Sequence, residues 1–212
     1  MRLLGVVVIR SHAFRISCAA GFASLAAVLA ILPLSFPFPA ITYLKFDFAE
    51  IPVVVAFLLF GTWPGMVSAF TYWIILNFFG SWVPIGPAMR FAAVISTLIG
   101  LWIGSGFRNA PVEGFKSWGR GFLMITLGAM LRILVMTLFN YVIVFLMFPF
   151  FLDIASKTLN LALGLTFRSS FEALVWVLVF TAIFNALHTL LSVLPSLLIV
   201  KTMIKHLKLS LL

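Results

Sequence analysis

Leu44-Lys45-Phe46-Asp47-Phe48-Ala49-Glu50-Ile51-Pro52 places three charges within six residues of a 212-residue chain in which only 9% of residues are charged. Apolar sequence flanks it on both sides, over 18–34 and 53–60, and the mean hydropathy of the chain is +1.24. An ionised side chain at the bilayer centre costs about 2.5–3.5 kcal/mol on insertion scales. A charged knot between two membrane segments therefore needs a partner or water. Two readings follow: a solvated hairpin at the membrane surface, or a structured loop folded over a ligand cavity.

Working outward, the class is set by composition. The chain is 64% hydrophobic, with 24 Phe and 6 Trp, and several apolar runs reach the roughly 20 residues that cross a hydrocarbon core. It reads as one membrane domain over 1–212, with a core over about 10–205. Six membrane segments are expected, at 16–34, 50–60, 63–80, 87–107, 120–147 and 171–203. The fold class is an all-α six-transmembrane-helix bundle with a structured outer loop between helices 1 and 2. The second segment is short, since 11 residues of helix rise only about 17 Å. It is read as continuing into the third through Gly61-Thr62-Trp63-Pro64-Gly65. Pro195 is expected to kink the last segment. No small-residue cleavage site stands out after 1–10, so no cleaved signal peptide is expected. The single cysteine, Cys18, reads as a packing residue and excludes a multi-cysteine metal site.

Charge gives the expected topology. Arg2, Arg10, Arg15, Arg108, Lys116, Arg120, Lys201, Lys205 and Lys208 fall on one side of six crossings. Lys45, Lys157 and Arg168 fall on the other, and Arg90 and Arg132 inside the bilayer. The bias places both termini in the cytoplasm of a multi-pass cell-membrane protein. Asp47, Glu50, Asp153 and Glu172 are then expected on the outer side. The net charge of +9 is a topology signal and a contact with anionic lipid, with no nucleic-acid-reading module.

Two further patterns lie within the segments. Ala19, Ala23 and Ala27 recur every four residues on the first, making a flat face that admits a close helix neighbour. That neighbour is either a helix of this chain or a partner subunit. Polar residues form stripes on three others: Thr181, Asn185, His188 and Ser192; Arg132 and Asn140; Arg90 and Thr97. Stripes of this kind join helices to one another or converge on a polar cavity.

The loop motif resembles the LK-x-DFS-x-IP signature of the riboflavin-specific substrate-binding (S) component of energy-coupling factor (ECF) transporters. Other motifs follow in similar order. Gly61-x-x-x-Gly65 resembles the family's GP-x-x-G turn, and Phe139-Asn140-Tyr141 with Pro149 downstream resembles its N-Y segment. Phe184-Asn185-x-x-His188 resembles F-N-x-x-K, with His188 where the family usually has Lys. At Ile85-Gly86-Pro87-Ala88-Met89-Arg90-Phe91 the family more often reads G-E-x-x-N-F. The resemblance spans roughly 14 to 205.

It implies a high-affinity vitamin-binding subunit for riboflavin uptake, with a ligand site of Lys45, Phe46, Asp47, Phe48, Arg90, Asn140, Tyr141, Asn185 and His188. The alternatives are another vitamin, a flavin phosphate suited by Arg90, or a small channel or scaffold. Arg90 has a second reading, as the ion-pair partner of Glu172 or Asp47. A planar ring wants aromatic walls, for which Phe46, Phe48, Trp82, Tyr141 and Phe148 are candidates. The implied partners are a transmembrane coupling subunit, docked on the face of Ala19, Ala23 and Ala27, and two cytoplasmic ATPases.

Those ATPases are needed because the sequence has no G-x-x-x-x-G-K-[ST] of its own. Nor does it hold a nucleophile–base pair, a His-Glu-x-x-His or paired intramembrane carboxylates, so no enzyme, catalytic residue, metal or cofactor is expected. No inverted repeat of a secondary transporter is visible.

Overall fold

The structure is a computed structural model that describes residues 12–207 apart from Pro33 and Ser81. Arg2, Arg10 and Lys208, counted above for topology, lie outside the described residues.

Helix α1 (His12–Ile31) leads into a two-stranded antiparallel hairpin, β1 (Ser35–Phe38) and β2 (Ile41–Asp47). Then come α2 (Glu50–Phe60), α3 (Thr62–Phe79) and α4 (Ile85–Gly104). A short 3-10 connection, Pro111–Lys116, precedes α5 (Trp118–Asn140), which runs on as a π-helical stretch, Tyr141–Met147. The chain closes with α6 (Phe150–Leu163) and α7 (Ser170–Leu207). Among the described residues, four helices are long and apolar enough to cross a membrane: Ala13–Ile31, Ile85–Gly104, Trp118–Met147 and Ser170–His206. Glu50–Phe60 is apolar but shorter. The protein is a multi-pass membrane protein.

Each of the six expected segments holds a helix. Between α2 and α3, Gly61, at φ 105° and ψ 178°, turns the chain, and α3 folds back so tightly that a side chain on Gly65 would meet Phe57. Helix α7 spans 38 residues with Pro195 inside it. One helix, α6, was not expected. Its Asp153, Lys157 and Asn160 lower the local hydropathy, yet Leu152, Ala155 and Leu159 recur at helical spacing and are buried.

Local chemistry explains the ends. Asp47 Oδ1 accepts the Ala49 N–H at 2.9 Å, which sets the turn into α2, and Glu50 then opens that helix, where its charge suits the N-terminal dipole. Before α7, Ser169 Oγ accepts the Glu172 N–H at 3.2 Å while Glu172 Oε2 accepts the Arg168 N–H at 2.8 Å. This is a close variant of the capping box. Gly164, at φ 69°, ends α6.

The core has two parts. In one, Ala23, Ala26 and Ala27 of α1 pack with Val53, Val54 and Phe57 of α2 and with residues of α3, α4, α5 and the end of α7. In the other, Phe38, Ile41 and Phe46 of the hairpin pack with Leu152 and Leu159 of α6 and Leu174, Val177 and Phe184 of α7. The hairpin is therefore structured and packed against the helices. The tightest helix pair is α4 against α5, where a side chain on Gly100 would strike the backbone of Leu127 and Gly128.

Candidate functional site

Arg132 of α5 is the hub of the interior. Only 2% of it is exposed, and every one of its donors is occupied. Nη1 donates to Glu50 Oε2 at 2.6 Å and Nη2 to Glu50 Oε1 at 2.9 Å. Nη1 also reaches Thr97 Oγ1 at 3.5 Å, Nε donates to Asn185 Oδ1 at 3.0 Å, and Nη2 lies 3.3 Å from His188 Nδ1. A guanidinium has no lone pair to offer, so His188 Nδ1 accepts and the ring proton is assigned to Nε2. That Nε2 lies 3.3 Å from the backbone oxygen of Asp47. Ser192 Oγ donates to Glu50 Oε2 at 2.9 Å. One planar fork thus joins α2, α4, α5 and α7, a geometry that Arg meets and Lys does not.

A second ion pair lies beside the first. Arg90 Nη2 of α4 meets Asp47 Oδ2 at 2.6 Å, and Nη1 donates to Tyr72 Oη of α3 at 2.8 Å. Arg90 thus pairs with Asp47, one of the partners expected for it. Asp47 and Glu50, expected on the outer face, are both buried. Within the membrane their charges are matched one to one by Arg90 and Arg132.

Above this network is a cavity of about 460 Å³, within the range of small-molecule sites. Glu50, Arg90, Arg132, Asn140, Asn185 and His188 supply its polar lining. Tyr43, Trp82, Phe148, Phe150 and Phe151 supply an aromatic wall. The wall is continuous: Phe150 stacks on Phe151 at 4.2 Å, and Tyr43 and Trp82 meet Phe151 edge-on at 5.5 and 5.3 Å. Lys45 also lines the cavity and is exposed.

Of the residues expected at the site, Lys45, Arg90, Asn140, Asn185 and His188 line this cavity, as do Trp82 and Phe148 from the aromatic set. Four others do not. Phe46 sits behind the lining, packed on Phe184 at 4.7 Å and on His188 at 5.7 Å. Asp47 turns to Arg90 and the α2 turn. Phe48 is half-buried outside the lining. Tyr141 is 41% exposed and packs on Phe145, because the residue next to the inward-facing Asn140 on a helix points to a different side.

The alanine face also needs correction. Ala19 and Ala23 are fully buried and Ala27 nearly so, packed inside this chain. Internal packing occupies the side chains of that face. Glu50, Arg132, Tyr43, Phe150 and Phe151 were missing from the expected site. Arg132 and Glu50 carried a signal, since a charge in an apolar chain demands a counter-charge; Tyr43, Phe150 and Phe151 did not.

Among the described residues no cluster of three metal-ligating side chains occurs. The fold defines a polytopic membrane protein with an internal cavity lined by polar and aromatic side chains. No protein-family profile matches the chain, and no curated protein does. In three dimensions the chain is similar to the solved S component of a bacterial ECF transporter, with a TM-score of 0.69 and 18% sequence identity. The match covers 93% of this chain and 99% of that one. The two share a fold.

Proposed function

We propose that this protein is the substrate-binding S component of an ECF-type importer and that its cargo is riboflavin. The observation that carries the reading is the cavity itself, in an S-component-like fold. It has a continuous aromatic wall for a planar ring system, amide and hydroxyl groups within reach, and a floor whose charges cancel pairwise. The cancelled charges favour neutral riboflavin over a flavin phosphate. Arg90, the residue that suited an anion, is held by Asp47 at 2.6 Å. An anionic ligand would have to displace that carboxylate.

Binding and transport are separate tasks in this reading. The chain supplies the membrane-embedded receptor; a transmembrane coupling subunit and two cytoplasmic ATPases supply energy, as the sequence resemblance implies. Both termini then lie in the cytoplasm. The test is titration of the detergent-purified protein with riboflavin, following quenching of flavin fluorescence. Saturation near one to one supports the reading; absence of quenching at micromolar protein sinks the riboflavin assignment.

A further inference from the structure

The hydrogen-bonding capacity of the cavity is distributed unevenly. On the α7 side most of it is engaged within the protein. Asn185 gives its oxygen to Arg132 Nε and an N–H to the Thr181 carbonyl at 2.9 Å. His188 has both ring nitrogens engaged, and both Glu50 oxygens accept from Arg132. Among the described residues that line the cavity, two have a buried side-chain atom with no partner: Tyr43 at Oη and Asn140 at Oδ1. The Asn140 amide is oriented by its own Nδ2, which donates to the Met136 carbonyl at 2.8 Å, so an acceptor is left over. Asn140 already belongs to the expected site. Tyr43 does not.

The Tyr43 hydroxyl is the more telling of the two because it is dispensable for the fold. Its ring packs edge-on against Phe151 at 5.5 Å, a contact that Phe would make equally well. A buried hydroxyl left without a bond costs about 1–3 kcal/mol. Burial also pushes the phenol pKa well above its ordinary value, so the group stays a neutral O–H. Such a group on the wall of a binding cavity is a donor awaiting an acceptor that the protein itself does not provide.

We infer that Tyr43 is a specificity residue of the cavity, whose hydroxyl donates a hydrogen bond to an uncharged oxygen of the bound ligand. This rests on the riboflavin reading above, where the acceptor is a ring carbonyl or a ribityl hydroxyl. The chemistry is the same for both.

The test is Tyr43→Phe, which removes one oxygen and leaves the ring. Two measurements are made on the full chain in detergent: the melting temperature of the ligand-free protein and the dissociation constant for riboflavin. The ligand-free variant is expected to melt higher than the wild type, since it sheds an unmet hydroxyl, and its riboflavin Kd is expected to rise about tenfold. Lumiflavin, which lacks the ribityl chain, separates the acceptors. An equal loss for both ligands assigns a ring carbonyl, and a loss for riboflavin alone assigns the chain. An unchanged Kd, or a lower melting temperature without ligand, overturns the proposal. Tyr141→Phe is the control and should change neither. If the wild type ignores riboflavin, the cargo assignment fails, and the ligand-free melting comparison still decides whether Tyr43 is free. A rise keeps it as a reader of another oxygen-bearing ligand, and a fall removes it.

Discussion

Arg132 and Glu50, 82 positions apart in the sequence, face each other as a bidentate pair at 2.6 and 2.9 Å with side chains 2% and 3% exposed. Removing one member of such a pair leaves the other charged and unmatched in a medium that cannot solvate it. Arg132→Leu is expected to lower the unfolding free energy by about 3–5 kcal/mol, and the double variant Arg132→Leu with Glu50→Leu by much less. Thermal unfolding in detergent checks this. A double variant as unstable as the single one would show that the pair is not the reason.

Asp47 is both latch and charge filter. Asp47→Asn keeps an oxygen for the Ala49 N–H but removes the counter-charge of Arg90. The variant is expected to bind riboflavin more weakly and to shift its preference toward the flavin phosphate by roughly tenfold. Competition between the two ligands for one labelled site measures the shift. An unaltered preference would mean that Arg90 does not face the ligand.

The two sides of α1 should respond differently to bulk. Ala23 is fully buried against neighbouring helices, whereas Ala20 is exposed. Ala23→Trp is expected to prevent stable folding, with a cost beyond the usual 1–3 kcal/mol of overpacking, and Ala20→Trp to leave the melting temperature within a few degrees. Size-exclusion profiles and melting curves of the two variants decide it; similar behaviour would contradict the inward orientation of the alanine face.

Helices α4 and α5 approach through glycine. A methyl on Gly100 would run into the Leu127 carbonyl and lie 2.6 Å from the Gly128 Cα, and backbone cannot swing aside as a side-chain tip can. Gly100→Ala is expected to cost about 1–3 kcal/mol. Gly21→Ala, in open space, should be neutral or mildly stabilising because Ala is the better helix former. Parallel melting curves compare the two.

These contacts show how far the sequence could be read. The charged run at 45–50 was legible as something structured because charge in an apolar chain must be matched, and the matching is what the fold contains. The identity of the match was not legible. Glu50 meets a residue that lies 82 positions on, and neither periodicity nor hydropathy reports contacts at that range. Periodicity did place Arg132 and Asn140 on one face, and both line the cavity. Tyr141, which came from the resemblance and not from periodicity, lies outside that lining. The alanine spacing announced close packing without naming the neighbour, and the neighbour proved internal. The helix Phe150–Leu163 hid because a hydropathy window averages its polar and apolar faces together.

The long sequence separation of the Arg132–Glu50 pair has a consequence for how the protein is made. The ribosome delivers α2 before α5 exists, so a short helix that begins with a carboxylate must enter the bilayer unmatched or wait at its edge. Biogenesis is then not strictly sequential: α2 settles when α5 arrives. Arrested nascent chains ending before residue 132 should leave α2 open to a water-soluble cysteine reagent at an engineered position, and chains extended past α5 should shield it. Protection already complete in the shorter chains would show that α2 is inserted without its arginine.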